Sequence, residues 1–503
     1  LDSQSKQNWH APLFEALTNL HASRPVSYHV PGHKYGQSLP LLQDLKNDAL
    51  SALRAVMAID VTELSLTDDL HEPTGVIEEA QTLAAATFGA DHTFFLVGGS
   101  TAGNLAMLLA VCEPDDLIIV QRNAHKSVLN GLKLSGARAV FLMPARDEDT
   151  GLDIAPTLVQ VEQALRSYPE AKAVMLTNPS YYGLSVHLRP YAELIHRYGK
   201  LLLVDEAHGA HYALHPTLPT SALQAGADAV VQSTHKTLQA LTMGAMLHIQ
   251  GDRINRNAVM DALRMIQSSS PSYPIMASLD ITRAMIDFRG LEMFERGLAS
   301  SEAFRNWVNE QEDYGIANST GKEVRNDPLR VVLYDRLGRL TGFEIQKRLE
   351  AFGCYTELAD SRHVVLLIGV EASAEDIERL KQALGVIAMD AAREGRAPRT
   401  MEQWHRSSMN RQIQPISEPV TFSRTGASRT NGASTERIAL DDAVGRFSSE
   451  AVIPYPPGIP LLYEGERITS EAIRTIKQLV ADGARCQGAA DPTMRTIAVT
   501  AEA

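Results

Sequence analysis

The chain holds 503 residues, 44% of them apolar and 21% charged, a balance that fits two or three folded domains and excludes a disordered chain. Acids outnumber bases by 60 to 47, for a net charge of −13, which argues against a general binder of nucleic acid or anionic membrane. The three cysteines, Cys112, Cys354 and Cys486, lie far apart, so neither a disulfide framework nor a cysteine zinc site is expected, and no other metal site is.

No apolar run nears the ~20 residues of a membrane helix, and the first ten residues lack the basic-then-apolar pattern of a signal peptide. A cytoplasmic protein with no membrane partner is the expectation. Residues 1–75 read as an N-terminal arm around His29-Val30-Pro31-Gly32-His33-Lys34. From 76 to 285 a large domain is expected, because apolar runs at 94–97, 117–120, 139–143, 173–177, 201–204, 229–231 and 245–249 alternate with helix-compatible segments. Runs of this kind fit strands covered on both faces, in a mainly parallel seven-stranded sheet. Residues 286–404 read as a smaller α+β domain, with helices at 280–312, 342–352 and 373–394, the last capped by Ser373, and strands at 330–333 and 363–368. The polar stretch 405–436 reads as a flexible linker, and 437–503 as a last ordered unit containing Pro454-Tyr455-Pro456-Pro457-Gly458-Ile459-Pro460.

Ligands of α/β sheets sit beyond the carboxyl ends of strands, so the residues after each run carry the interest. The first run is followed by Gly98-Gly99-Ser100-Thr101-Ala102-Gly103-Asn104 and then a helix-like 105–111. Glycines allow a tight turn, a helix N-terminus offers N–H groups to a phosphate, and Ser100 and Thr101 add hydroxyls; taken alone, the string also describes a plain helix cap. After the fifth run comes Asp205-Glu206-Ala207-His208-Gly209, and after the sixth Gln232-Ser233-Thr234-His235-Lys236-Thr237. Singly, these read as a cap, a structural histidine and a surface lysine. Together they supply phosphate donors, an acid and an amine, the set a pyridoxal 5′-phosphate (PLP) enzyme uses to hold its cofactor through a lysine and keep the pyridine nitrogen protonated. His125, after the second run, adds a ring able to stack on the cofactor.

These strings, with Pro31-Gly32-His33-Lys34, Arg122-Asn123-Ala124-His125-Lys126-Ser127, Ser268-Ser269-Ser270-Pro271, Val444-Gly445-Arg446 and the 455–460 string, resemble in order the PLP-dependent ornithine/lysine/arginine decarboxylases. The likeness covers nearly the whole chain. It is greatest to the short bacterial form, since there is no room before His29 for the N-terminal wing domain of the large inducible enzymes. It implies PLP fold type I, the aspartate-aminotransferase-like α/β fold. It also implies Lys236 as the Schiff-base lysine, Asp205 on the ring nitrogen, His125 stacked on the ring and His208 beside the cofactor, where some large members have Trp. Ser100, Thr101, Ser233 and His235 would hold the phosphate. Glu464 stands where many relatives have Pro.

The implied reaction is decarboxylation of arginine, lysine or ornithine to CO2 and agmatine, cadaverine or putrescine, with Lys236, Asp205, His125 and His208 as catalytic residues. No motif separates the three substrates. Carboxylates available for the substrate's cationic end include Asp68, Asp69, Glu72 and the region of Glu464. A homodimer or higher homo-oligomer is expected by analogy with the fold, with segments 31–34 and 268–271 bordering the pocket. The rival readings are another PLP reaction such as transamination, recommended only by Asn178-Pro179-Ser180-Tyr181, and a non-catalytic PLP-binding regulatory protein. The first is separated by its product, a keto acid, and the second by the absence of turnover.

Overall fold

The computed structural model describes residues 9–37, 49–396, 415–422, 434–455, 458–481 and 483–501. It divides into two compact units, one built from Leu1–Val111 and Leu201–Met293, the other from Cys112–Lys200 and Phe294–Ala503. All seven apolar runs are strands: β1 (His92–Leu96), β2 (Leu117–Gln121), β3 (Arg138–Leu142), β4 (Ala173–Thr177), β5 (Leu201–Asp205), β6 (Ala229–Gln232) and β7 (Ala245–Ile249). Most of their residues are fully buried, as continuous Val/Ile/Leu runs require.

The first unit orders its strands β1-β7-β6-β5. β5 and β6 are parallel, but β7 runs antiparallel to both β6 and β1. The α/β sheet of covered strands is as expected, and the antiparallel β7 makes it a mixed one in this unit. The reason is local: between β6 and β7 the chain forms only the one-turn helix Thr234–Thr237, too little for the helical crossover that parallel strands need. The helix Gly99–Val111 covers this sheet, and its backbone approaches closely. A Cβ on Gly103 would lie 2.3 Å from Val231 Cγ2 and 2.9 Å from Leu96 Cδ1.

The N-terminal arm is more regular than its sequence suggests, with helices at Pro12–Ala22 and Ala49–Ala58. The first begins on Pro12 and buries Pro12, Leu13 and Leu17. Buried Asp280 accepts hydrogen bonds from the N–H groups of Leu13 (2.9 Å) and Phe14 (3.3 Å) while pairing with Arg283 at 2.6 Å. Two orphan donors of the first turn are met in this way.

In the second unit β2 is parallel to both β4 and β3. A second, antiparallel sheet has the order β8 (Tyr314–Ile316), β9 (Arg330–Asp335), β11 (His363–Leu367), β10 (Leu358–Ala359). The helices Gly342–Ala351 and Ala374–Arg393 pack on it over a core including Phe304, Val331, Leu349, Val364 and Leu384. Both begin with capping boxes, from Thr341 and Ser373. The expected helix over 280–312 is two helices, Tyr273–Arg289 and Glu292–Glu310, parted at Gly290, where φ is +55°.

Part of the segment read as a linker is paired: β12 (Val420–Thr421) lies antiparallel on β3, and Ser417 N–H donates to Phe141 O. The remainder of that segment, apart from 415–422 and 434–436, lies outside the described residues. The C-terminal part pairs β13 (Thr435–Ala439) with β14 (Thr496–Thr500) and packs Ile473 and Ile476 of the helix Ser470–Ala481 in one core with Leu440, Val452 and Ile497. Pro456 and Pro457 of the proline-rich string lie outside the described residues.

Candidate active site

In the first unit, the ends of β5 and β6 and the start of the helix Gly99–Val111 bring the expected groups together. That helix starts earlier than its apolar pattern suggests. Gly99, at φ +72°, makes the turn, so Ser100 and Thr101 stand in the first helical turn, where N–H groups lack intrahelical partners. Ser233, fully buried at the start of the helix Thr234–Thr237, donates its hydroxyl to Ser100 Oγ at 2.8 Å. Asp205, the last residue of β5, is buried; its Oδ2 accepts from Asn104 Nδ2 at 2.8 Å and its Oδ1 from Ala207 N–H at 3.0 Å. Lys236 Nζ lies 3.0 Å from Nε2 of buried His208. His235 turns its Nδ1 to Gly244 O at 2.9 Å.

Two residues of this arrangement carried no assignment from sequence. Asn104 orients Asp205, and its position one helical turn beyond Ser100, on the same face, is a signal that spacing could have supplied. Glu206 turns away from Asp205, accepting from Ala222 N–H and Gln232 Nε2, both at 2.7 Å. Burial pushes the Glu206 carboxyl up to about 8, against the pull of those two donors and helped by the neighbouring Asp205 charge.

His125 belongs to the second unit. It caps the helix Lys126–Ser135, its Nδ1 accepting from Ser127 N–H at 3.2 Å and bonding Ser127 Oγ at 2.8 Å. The preceding Arg122 is buried and bonds Pro460 O at 2.8 Å, Leu461 O at 3.2 Å and Glu466 at 2.7 Å, with Tyr463 under its guanidinium.

Several carboxylates considered for the substrate have other employment. Asp68 accepts from the N–H groups of Thr74, Gly75 and Ile77 and so caps the helix Val76–Phe88. Burial raises its affinity for a proton, but these donors outweigh that and hold the carboxyl below its ordinary range. Asp69 accepts from His71 N–H, Glu72 lies 3.5 Å from Arg264, and Glu464 pairs with Lys133 at 3.0 Å. A cavity of about 1130 Å³ is lined by Asp69, His71, Glu72, Arg256 and Arg264, but by none of the residues around Lys236. In the arm, His33 pairs with Asp60 at 3.0 Å and Lys34 bonds His29 O.

The donor set in the first unit is chemically that of a PLP site: hydroxyls at a helix N-terminus for a phosphate, a buried oriented carboxylate for a ring nitrogen, and an amine. The model of the Orn/Lys/Arg decarboxylase major domain matches residues 11–370, and that of the family's C-terminal domain matches 406–486. The chain belongs to the Orn/Lys/Arg decarboxylase family. This decarboxylase is therefore a PLP-dependent carboxy-lyase acting on a basic amino acid. It is 39% identical over 487 residues to a Bacillus subtilis (strain 168) protein named YaaO, covering 95% of this chain and 96% of that one. It is 35% identical over 502 residues to an arginine decarboxylase of the same organism, covering 98% of each. The decarboxylase also shares its fold with the Francisella novicida lysine decarboxylase LdcF, at a TM-score of 0.80 and 18% identity, over 98% of this chain and 82% of that one. Among the described residues, no helix is long and apolar enough to cross a membrane.

Proposed function

We propose that this decarboxylase converts L-arginine to agmatine and CO2, with Lys236 as the amine that holds PLP covalently. The observation that carries the reading is the convergence of Lys236, Asp205 and the Ser100–Ser233 pair at neighbouring element ends in one unit. Arginine is favoured among the basic amino acids by the 35% identity, over 98% of both chains, to a protein named arginine decarboxylase.

Loss of CO2 leaves an electron pair on Cα, and PLP supplies the electron-poor ring that takes it up. The chain's residues do the rest. Asp205, fixed by Asn104 and the Ala207 N–H, would keep a proton on the pyridine nitrogen by opposite-charge pairing. His208 Nε2, 3.0 Å from Lys236 Nζ, would take a proton from the ammonium and leave Lys236 as the neutral amine that would hold PLP. Ser100, Thr101 and Ser233, with the first-turn N–H groups, would hold the phosphate; His235 orients the Lys236 turn through Gly244 O. We further infer a cytoplasmic homodimer, to be checked by a sedimenting mass of twice the 54.9 kDa chain.

The test is borohydride trapping of the PLP-loaded protein with peptide mapping, beside assays on arginine, lysine and ornithine with products identified by mass. The expected results are a label on Lys236 and agmatine as the main product. A label elsewhere overturns the Lys236 assignment, cadaverine or putrescine as the main product overturns arginine, and a keto acid would establish transamination instead.

A further inference from the structure

Four polar side chains outside the reacting groups, Thr93, Glu206, Gln232 and His248, are buried to exposures of 4, 0, 1 and 0%. They form one file. Gln232 Nε2 donates to Glu206 Oε2 at 2.7 Å, His248 Nε2 stands 3.1 Å from Gln232 Oε1, and Thr93 Oγ1 stands 2.8 Å from His248 Nδ1. With the Gln232 amide nitrogen donating to a carboxyl oxygen of Glu206, its own oxygen faces His248, so Nε2 carries the ring proton and Nδ1 accepts from Thr93. Each link is set by the one before it.

The file crosses four neighbouring strand positions. Glu206 extends β5 by donating its N–H to Val231 O at 2.9 Å, Gln232 ends β6, His248 lies in β7, and Thr93 in β1 is the register partner of His248. It runs along the sheet face opposite the helix Gly99–Val111. Val231, Leu96 and Asp205 point to that helix, and their sequence neighbours alternate away from it. The two ends that carry chemistry are adjacent to the file, with Asp205 preceding Glu206 and Ser233 following Gln232. Apolar side chains would bind four strands together as firmly, whereas a directional chain of hydrogen bonds also fixes their register.

We propose that Glu206, Gln232, His248 and Thr93 are positioning residues whose file sets the place of the β6 end, with Ser233 and Lys236, relative to Asp205 at the β5 end. The proposal rests on the roles given above to Lys236 and Asp205.

The test compares His248→Gln with His248→Asn. A glutamine amide reaches the position of Nε2 and keeps the link to Gln232. An asparagine amide ends near Nδ1 and serves only Thr93. His248→Gln is expected to keep kcat within about threefold of the parent, and His248→Asn to lose about tenfold at unchanged KM. In the cofactor-free protein, amides 233–236 should exchange with solvent about tenfold faster in His248→Asn than in His248→Gln. Equal kcat and equal exchange in the two variants overturn the proposal, since a merely structural histidine predicts like losses from both. Should His248→Asn fail to fold, Thr93→Val, close in volume, replaces it; exchange at 233–236 unchanged from the parent then overturns the proposal. Borohydride labelling away from Lys236 in the parent would sink the earlier reading, while the cofactor-free exchange would still judge the file.

Discussion

Gly103 shows how one missing side chain sets the geometry of the Asp205 cluster. Because a Cβ there would collide with Val231 and Leu96, the helix Gly99–Val111 rests its backbone directly on β6 and β1. The same helix delivers Ser100 to Ser233 and Asn104 to Asp205. Gly103→Ala must lift the helix or displace Val231, at about 1–3 kcal/mol for an overpacked core. A thermal midpoint lowered by several degrees and a weaker affinity in PLP titration are the expected outcomes; an unchanged midpoint would show that the contact relaxes freely. The glycines themselves were legible as a turn before a helix, and Ser100, Asp205, Ser233 and Lys236 as strand-end groups, because chain order places them there. Their partners were not. Asp68 looks like a free carboxylate in sequence, and only the fold aims the N–H groups of Thr74, Gly75 and Ile77 at it. Glu464 likewise reads as a carboxylate available to the substrate until Lys133 is found 3.0 Å away.

At the level of elements, burial made the strands readable while their directions stayed hidden. Apolar runs announce a covered strand, but the antiparallel return of β7 follows from the short helix Thr234–Thr237, whose extent no periodicity reveals. The file across β5, β6, β7 and β1 was hidden for a similar reason, its four polar residues being scattered from 93 to 248. It nevertheless makes a prediction about pH. Burial raises the Glu206 carboxyl from 4.5 to about 8, so between those values the folded chain keeps a proton that the unfolded chain releases. Its stabilising contribution is full below 4.5 and fades as pH rises toward 8. Burial lowers the His248 imidazole from 6.5 to about 3, so its contribution is full above 6.5 and fades as pH falls. The two slopes oppose each other between 4.5 and 6.5, which leaves Glu206 alone from 6.5 to 8. Glu206→Gln is therefore expected to flatten the fall in unfolding free energy over that window, by at most about 1.4 kcal/mol per pH unit. Denaturant unfolding of both proteins at the two ends of the window checks this; parallel curves would mean that Glu206 is already ionised at 6.5.

For the molecule as a whole, the question is whether its two family segments, 11–370 and 406–486, are separable bodies. The second unit answers through the contacts that join them. Residues 415–422 cover the edge of β3, with Val420 opposite Ala139, Thr421 opposite Arg138 and Met143 N–H donating to Pro415 O at 3.0 Å. Arg122, with a side chain 5% exposed, has Glu466 and the carbonyls of Pro460 and Leu461 as partners, and Lys126 N–H, beside His125, donates to Gly458 O. A chain ended at Arg396 would bare a strand edge, an invitation to pair with other chains. It would also strip a buried guanidinium of its carboxylate, a loss of about 3–5 kcal/mol for pairs of this kind. Such a chain is expected to elute as aggregate in size-exclusion chromatography with light scattering. Glu466→Ala in the full chain keeps the edge covered and isolates the charge, so it should stay soluble and melt several degrees lower. A truncated chain that ran as a discrete species with the melting temperature of the full protein would show the C-terminal segment to be an appendage. The contacts of Arg122 make it instead part of the core that holds the His125 turn in place.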